Sequence, residues 1–131
     1  MRALLDTGVW FRRYHRLPMS LALRQYLDEV TEFYLSPLSI AEICYKWQRG
    51  KLPQVPDPRH WIDHALENFL LLDLSPAAAL QSGLWPWTHG DLVDRALAAI
   101  SADSGITLLH TDKVLRDLEG FPQKWFKNTG T

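Results

Sequence analysis

The chain has 131 residues, of which 47% are hydrophobic and 22% charged, so it can bury one core and is too apolar for wholesale disorder. Its net charge of −1 argues against a generic nucleic-acid coat, because neutralising many phosphates takes an excess of Lys and Arg. No apolar run approaches the roughly 20 residues that span a bilayer, Asp6 comes too early for a signal peptide, and the single cysteine excludes an internal disulfide, so we expect one cytoplasmic domain over 1–131.

Short apolar runs, typical of buried strands, alternate along the chain with amphipathic stretches typical of helices. In chain order the predicted elements are a strand at 3–5, helices at 7–14 and 21–30, a strand at 33–35, helices at 39–49 and 58–69, a strand at 69–72, helices at 76–84 and 91–104, a strand at 106–109 and a short helix at 113–118. Asp57 is the predicted N-cap of the helix at 58–69. The residues from Gly120 onward give no clear pattern. Because strands alternate with helices, the sequence predicts an α/β fold with a parallel sheet covered on both faces.

Four carboxylates fall where this fold would bring them to one edge of the sheet. Asp6 and Asp112 follow the first and fourth strands, and Glu42 and Asp94 lie in the first turns of two helices. Ligands of open parallel sheets bind at the carboxyl ends of the strands, and carboxylates gathered there repel one another unless cations neutralise them. Mg²⁺ and Mn²⁺ prefer such oxygen ligands together with substrate phosphate. The pattern therefore predicts phosphodiester hydrolysis assisted by one or two metal ions.

Each acid also has a purely structural explanation. Ser39 and Glu42 have the spacing of a capping box, and Glu42 has the spacing of a surface ion pair with Lys46. Asp91 is well placed to cap the long helix, and Asp112 to cap the short helix that follows it. The joint placement at one edge is what favours a site.

The acidic motifs, in this order, resemble those of PIN-domain ribonucleases, in particular the VapC-like toxins of bacterial toxin–antitoxin pairs. The matching stretches are Leu4-Leu5-Asp6-Thr7, Ser36-Pro37-Leu38-Ser39-Ile40-Ala41-Glu42-Ile43 with Lys46 and Gly50-Lys51-Leu52, Asp91-Leu92-Val93-Asp94-Arg95, and Leu108-Leu109-His110-Thr111-Asp112. The resemblance covers nearly the whole chain. The sequence departs from the family pattern at Leu92-Val93, where Pro-Phe is usual, and at Gly8, where a His is common; neither change removes an expected ligand.

The resemblance implies a three-layer α/β/α fold around a parallel sheet of four to five strands. It implies a metal-dependent endoribonuclease, the toxin of a toxin–antitoxin pair, in which Mg²⁺ or Mn²⁺ is held directly or through water by the catalytic residues Asp6, Glu42, Asp94 and Asp112. Supporting residues around these ligands would be Thr7, Asp91 and Thr111. The implied partners are an RNA substrate, an antitoxin whose C-terminal segment enters or covers the acidic site, and a second copy in a homodimer, with no membrane.

Basic residues near the acidic motifs are candidates to position RNA phosphates, although solvated surface charge explains each of them equally well. These candidates are Lys46, Lys51, Arg95 and Lys113, with Arg116 beyond them. His60 and His64 have zinc spacing but lack the Glu of the metalloprotease motif, so we expect no zinc site there. We expect the six tryptophans to pack in the core or an interface rather than to stack on bases.

Other functions remain open at this stage. A PIN-like domain whose acids are structural or hold an inert ion would be a catalytically silent binding module. A housekeeping RNA-processing nuclease would have the same site without an antitoxin. A receiver-type phosphoacceptor is disfavoured, because such a domain requires an acidic pair after the first strand, where this chain has Asp6-Thr7-Gly8.

Overall fold

A computed structural model of the protein describes residues 1–128 and places five strands in one parallel sheet. The strands are β1 (Arg2–Leu5), β2 (Glu32–Leu35), β3 (Phe69–Leu71), β4 (Leu108–His110) and β5 (Gln123–Trp125). Their order across the sheet is β3-β2-β1-β4-β5, and every pairing is parallel. The chain thus builds outward from β1 to β3 and then returns to the other side of β1 for β4 and β5.

Helices follow each strand except the last. They are α1 (Thr7–His15), α2 (Leu21–Glu29), α3 (Pro37–Gln48), α4 (Ile62–Ala65), α5 (Pro76–Leu84), α6 (Leu92–Ser104) and α7 (Lys113–Arg116), and a 3-10 turn (Pro58–His60) precedes α4. The longest, α6, ends at Gly105, whose φ of 73° suits a residue without a Cβ. Within residues 1–128 no helix is long and apolar enough to cross a membrane.

Helices cover both faces of the sheet, and successive side chains of its central strands point to opposite faces. On β1, Ala3 and Leu5 pack with α1 to α4, whereas Leu4 packs with α6 and α7. On β4, Leu109 joins the first layer and Leu108 the second. Full burial of each such leucine side chain stabilises the folded state by about 1.5–3 kcal/mol relative to leaving it exposed. The predicted α/β fold with its three layers is confirmed.

Two elements differ from the sequence prediction. The helix predicted over 58–69 is divided into the 3-10 turn, which Asp57 caps as predicted, and the single turn of α4, which stops before Asn68, a residue with φ of 65°. The residues after Gly120 contain β5, which pairs with β4 and is followed by the buried Phe126. Both depend on packing against distant parts of the chain rather than on a local repeat.

Candidate active site

The carboxyl ends of β1 and β4 form the point at which the strand order reverses. These strands are neighbours, and the Asp6 amide donates to the Leu109 carbonyl at 3.0 Å. After β1 the chain enters α1 on one face, and after β4 it enters α7 on the other. Diverging connections of this kind open a crevice at the sheet edge, where ligands bind in open α/β folds. Asp6 is the first residue after β1, and Asp112 is the second residue after β4, so both stand at this crevice.

Three of the predicted residues cap helices at this edge. Oδ1 of Asp6 accepts from the Val9 amide at 2.7 Å, and Oδ1 of Asp112 accepts from the Val114 amide at 2.7 Å. Oδ1 of Asp91 caps α6 in the same way. The predicted caps at Asp91 and Asp112 are confirmed. Capping does not exclude a ligand role, because it engages one oxygen of each carboxylate and fixes the direction of the other.

Glu42 is not part of a capping box, and that alternative is wrong. Oγ of Ser36 caps α3 by accepting from the Leu38 amide at 3.1 Å, so the helix starts earlier than predicted. Ser39 is buried inside the helix and its Oγ accepts from Oγ1 of Thr7 at 2.9 Å. This contact joins α1 to α3 and leaves the half-buried Glu42 on the wall of the crevice.

A cleft of about 430 Å³ brings together Asp6, Glu42, Asp91 and Asp94. Burial raises the pKa of Asp6 to about 7, and the charges of Asp94 and Glu42 add to this effect. Burial likewise raises the pKa of Asp94 to about 7, with the charge of Asp91 adding to it. These acids resist ionisation unless positive charge compensates them.

A histidine that the sequence analysis did not select completes the cluster. His89 Nε2 lies 3.0 Å from Asp94 Oδ2 and 3.5 Å from Asp112 Oδ2. One ligand atom from each of the three residues lies within 4.8 Å of the others, the only such group of three or more His, Cys, Asp or Glu within residues 1–128. Burial alone would raise the pKa of Asp112, but hydrogen bonds from the Val114 and Leu115 amides outweigh it and lower that pKa.

The segment that carries His89 is fixed from α6 by Arg95. This side chain is only 7% exposed and donates to four backbone carbonyls at 2.6–3.0 Å, those of Ser82, Trp85, Trp87 and His89. Its guanidinium is therefore occupied inside the protein. The prediction that Arg95 positions an RNA phosphate is corrected: Arg95 holds the segment between α5 and α6 beside the crevice.

The family comparison adds to this geometry. Residues 3–120 match the PIN domain family. The chain belongs to the PIN domain family. PIN domains are generally nucleases, and the resemblance read from the acidic motifs is confirmed at the level of the family.

Solved structures of similar fold are toxin–antitoxin complexes. VapBC2 from Rickettsia felis, bound to a DNA fragment from its promoter, has a TM-score of 0.71 and 16% identity, covering 95% of this chain and 98% of that one. A toxin–antitoxin complex from Klebsiella pneumoniae has a TM-score of 0.68 and 16% identity, with 95% and 98% covered. DNA-bound VapBC from Salmonella typhimurium has a TM-score of 0.67 and 16% identity, with 95% and 97% covered. At this identity they show a shared fold, and no curated protein matches the chain.

Of the three supporting residues predicted for this PIN domain, two lie at the acidic cleft and the third contacts the chain beyond β5. Thr7 is buried beside Asp6 and bonded to Ser39, and Asp91 caps α6 on the wall of the cleft. Thr111 Oγ1 instead donates to Asn128 Oδ1 at 3.3 Å. Thr7 and Asp91 therefore support the acidic cleft directly, whereas the contact that the structure gives Thr111 is to the chain beyond β5.

The predicted lysines are exposed. Lys46 lines the acidic cleft, and with Lys51 it also lines an adjoining cleft of about 540 Å³ between α3 and the start of α6. Lys113 is the first residue of α7 and follows Asp112. Among the ion pairs of residues 1–128, none joins Lys46 to Glu42. These cations border the acids and remain candidates to bind phosphates.

The aromatic and remaining histidine side chains mostly serve packing. Trp10 and Trp61 are buried in the core layer of α1 to α4, as expected. Trp85 and Trp87 stack with ring centroids 4.0 Å apart and pack against the opposite core layer. His64 Nδ1 lies 2.8 Å from the Tyr14 hydroxyl and is not part of the acidic cluster.

Proposed function

We propose that this PIN domain, a single unit over residues 1–131, is a metal-dependent endoribonuclease and the toxin of a toxin–antitoxin pair. The observation that carries the nuclease proposal is the gathering of Asp6, Glu42, Asp94 and Asp112 at the crevice between β1 and β4. Four acids from separate motifs share no single structural task there. The VapBC complexes of the same fold support the toxin role and an antitoxin partner, and the family resemblance supports a homodimer.

The donor set fits a divalent cation. Two carboxylate oxygens and an imidazole nitrogen lie within 4.8 Å of one another. Burial, with the charges of neighbouring acids adding to it, raises the pKa values of Asp6 and Asp94 to about 7, and a bound cation would favour their ionised forms. We propose that Asp6, Glu42, Asp94 and Asp112 hold Mg²⁺ or Mn²⁺, directly or through water. When bound, the cation supplies charge neutralisation and Lewis acidity at the scissile phosphodiester.

The side chains of the protein itself set up the reaction by position. The caps at Asp6 and Asp112 fix carboxylates that would otherwise turn freely in water. The Thr7–Ser39 bond holds α3 against the end of β1, which brings Glu42 to the cleft. Lys46 stands at the rim, where a cation attracts the phosphates of an incoming RNA strand without reading its bases.

The test is cleavage of a panel of structured RNAs by the purified chain with Mg²⁺, with Mn²⁺ and with EDTA. We expect cutting that needs metal and that is lost in Asp94→Asn. The matched control is Asp73→Asn, since Asp73 is an exposed aspartate in the loop between β3 and α5. Cutting that survives EDTA or Asp94→Asn would overturn the proposal. Failure to cut any RNA would favour the catalytically silent binding module.

The toxin role has its own test. Expression of the chain should arrest growth, and co-expression of the small protein encoded beside it should restore growth and form a complex that suppresses RNA cleavage. A chain that cuts RNA but neither slows growth nor binds such a protein would instead be a housekeeping RNA-processing nuclease.

A further inference from the structure

The His89 side chain lies within the acidic cluster rather than on the open surface. Its side chain is 15% exposed, and its Nε2 atom faces the Oδ2 atoms of Asp94 and Asp112 at 3.0 and 3.5 Å. Ligand atoms at right angles around an octahedral ion lie about 3.0 Å apart, and tetrahedral ones about 3.4 Å apart. The two distances from His89 Nε2 therefore match the spacing of neighbouring ligands.

The position of His89 is built into the fold. Arg95 Nη1 donates to the His89 carbonyl at 2.9 Å, so the main chain at this residue is tied to α6. Asp94 lies on the same helix, one residue before Arg95. Asp112 is held by its cap and by its own amide, which donates to His110 Nδ1 at 3.1 Å. The backbone at His89 and the side chain of Asp112 are thus fixed by contacts within the protein.

We propose that His89 binds the catalytic metal through Nε2 and makes this site favour Mn²⁺ over Mg²⁺. The inference rests on the proposed metal dependence. Mg²⁺ strongly prefers oxygen ligands, whereas imidazole nitrogen suits transition-metal ions. A site of Asp6, Glu42, Asp94 and Asp112 alone would offer oxygen only, so the histidine is the residue that sets the preference.

A simpler role for His89 is a hydrogen bond that relieves repulsion between Asp94 and Asp112. Glutamine at this position can still donate such a bond, but it offers no imidazole nitrogen to a metal. The variant His89→Gln therefore separates the two roles. Its matched control is His60→Gln, because His60 is an exposed histidine in the 3-10 turn before α4, on a different element from the acidic cluster. His89→Asp is the complementary variant, since it restores a ligand but makes it oxygen.

The experiment is electron paramagnetic resonance on the intact chain loaded with Mn²⁺, with Mg²⁺ as competitor. In the wild type and in His60→Gln we expect a hyperfine coupling from imidazole nitrogen to Mn²⁺. In His89→Gln we expect that coupling to vanish and the preference for Mn²⁺ over Mg²⁺ to fall at least about tenfold. His89→Asp should bind metal with the preference shifted toward Mg²⁺. Thermal melts of each variant verify that it is folded.

The outcomes separate this inference from the proposed function. Mn²⁺ bound by the wild type without nitrogen coupling, or with coupling that persists in His89→Gln, overturns the role of His89 and leaves the metal-dependent nuclease standing. Neither Mn²⁺ nor Mg²⁺ binding at the crevice overturns both. An unchanged Mn²⁺-to-Mg²⁺ preference in both His89→Gln and His89→Asp also overturns the inference.

Discussion

Asp6, Asp91 and Asp112 each accept a backbone N–H at a helix N-terminus, and each stands at the edge of the same crevice. A capping carboxylate has one oxygen engaged and its rotamer fixed, so the second oxygen is presented in a defined direction. At the scale of the single residue, cap and ligand are compatible tasks. The caps do not explain the gathering of acids, however, because one cap needs no second carboxylate beside it.

Replacing either of two half-buried acids by its amide is expected to abolish cleavage without unfolding the protein. Asp6→Asn and Asp94→Asn remove charge from the proposed metal site, and we expect a loss of activity of at least about a hundredfold. Asparagine is a good N-cap, so α1 keeps its cap in Asp6→Asn. The measurements are RNA cleavage rate and melting temperature in EDTA. Retained activity in both variants would refute the site assignment.

The raised pKa values also predict how stability depends on pH in the absence of metal. Asp6 and Asp94 have native pKa values of about 7, above the value of about 3.9 in an unfolded chain. The native state therefore holds more protons between these values, and the stabilisation present at low pH is lost as pH rises toward 7. The resulting loss in the free energy of unfolding is at most about 4 kcal/mol per acid.

The sharpest measure of this effect is the difference in unfolding free energy between Asp94→Asn and the wild type, determined by urea denaturation in EDTA. Burial lowers the pKa of His15 and His110, which makes the free energy of unfolding rise with pH below about 6.5. The variant and the wild type share this opposite trend, so it cancels in the difference between them. We expect the variant's advantage to grow from pH 5 to pH 8. A difference that is flat across this range would show that Asp94 ionises normally.

The segment between α5 and α6 shows how one buried side chain can organise a connection. The segment contains Pro86 and Gly90 and no regular secondary structure, so it has few backbone hydrogen bonds of its own. Arg95 provides four donors from a planar group whose geometry is fixed. At the scale of the element, α6 therefore carries both an acid of the crevice, Asp94, and the means of placing His89 beside it.

Arg95→Lys is expected to destabilise the protein although it keeps the charge. An ammonium has three donors and cannot reach four carbonyls in this fork, which leaves buried carbonyls unpaired at about 1–3 kcal/mol each. We expect the free energy of unfolding to fall by about 3 kcal/mol in urea denaturation, and Mn²⁺ affinity to fall with it. Arg24→Lys, at an exposed position on α2, should change neither quantity. Equal effects of the two substitutions would contradict the role given to Arg95.

The strand order determines where the acids meet at the scale of the whole molecule. β1 occupies the centre of the sheet, and the return of the chain to β4 places Asp112 beside Asp6 although more than a hundred residues separate them. The acids repel one another unless a cation neutralises them. Metal binding should therefore stabilise the folded chain as a whole, since an unfolded chain has no such cluster.

Addition of Mn²⁺ at about 100 times its dissociation constant should stabilise the protein by roughly 2.7 kcal/mol. For a chain of this size the melting temperature should rise by about 8 °C. The double variant Asp94→Asn/Asp112→Asn should lose this shift, whereas Asp73→Asn should keep it. Differential scanning calorimetry with and without Mn²⁺ gives the answer, and an equal shift in the double variant would place the metal elsewhere.

The sequence by itself determined the α/β class, the order of most elements and the acids at the sheet edge. These features depend on local signals: apolar runs, helical periodicity, and caps such as Asp91 and Asp112 that act on the next few residues. A carboxylate directly after an apolar strand, as at Asp6, is also a local feature. The family resemblance is drawn from the same short motifs and needed no knowledge of contacts.

Only the tertiary structure decided which residues share the crevice and how deeply each of them is buried. β5 forms because β4 offers an open edge, and its three residues have no periodicity of their own. The sequence predicts an exposed cation at Arg95, but its guanidinium donates to backbone carbonyls of α5 and of the segment that follows it. His89 meets Asp112 only because two loops converge at the strand reversal. Burial and long-range proximity set these outcomes, and both depend on contacts between residues far apart in the chain.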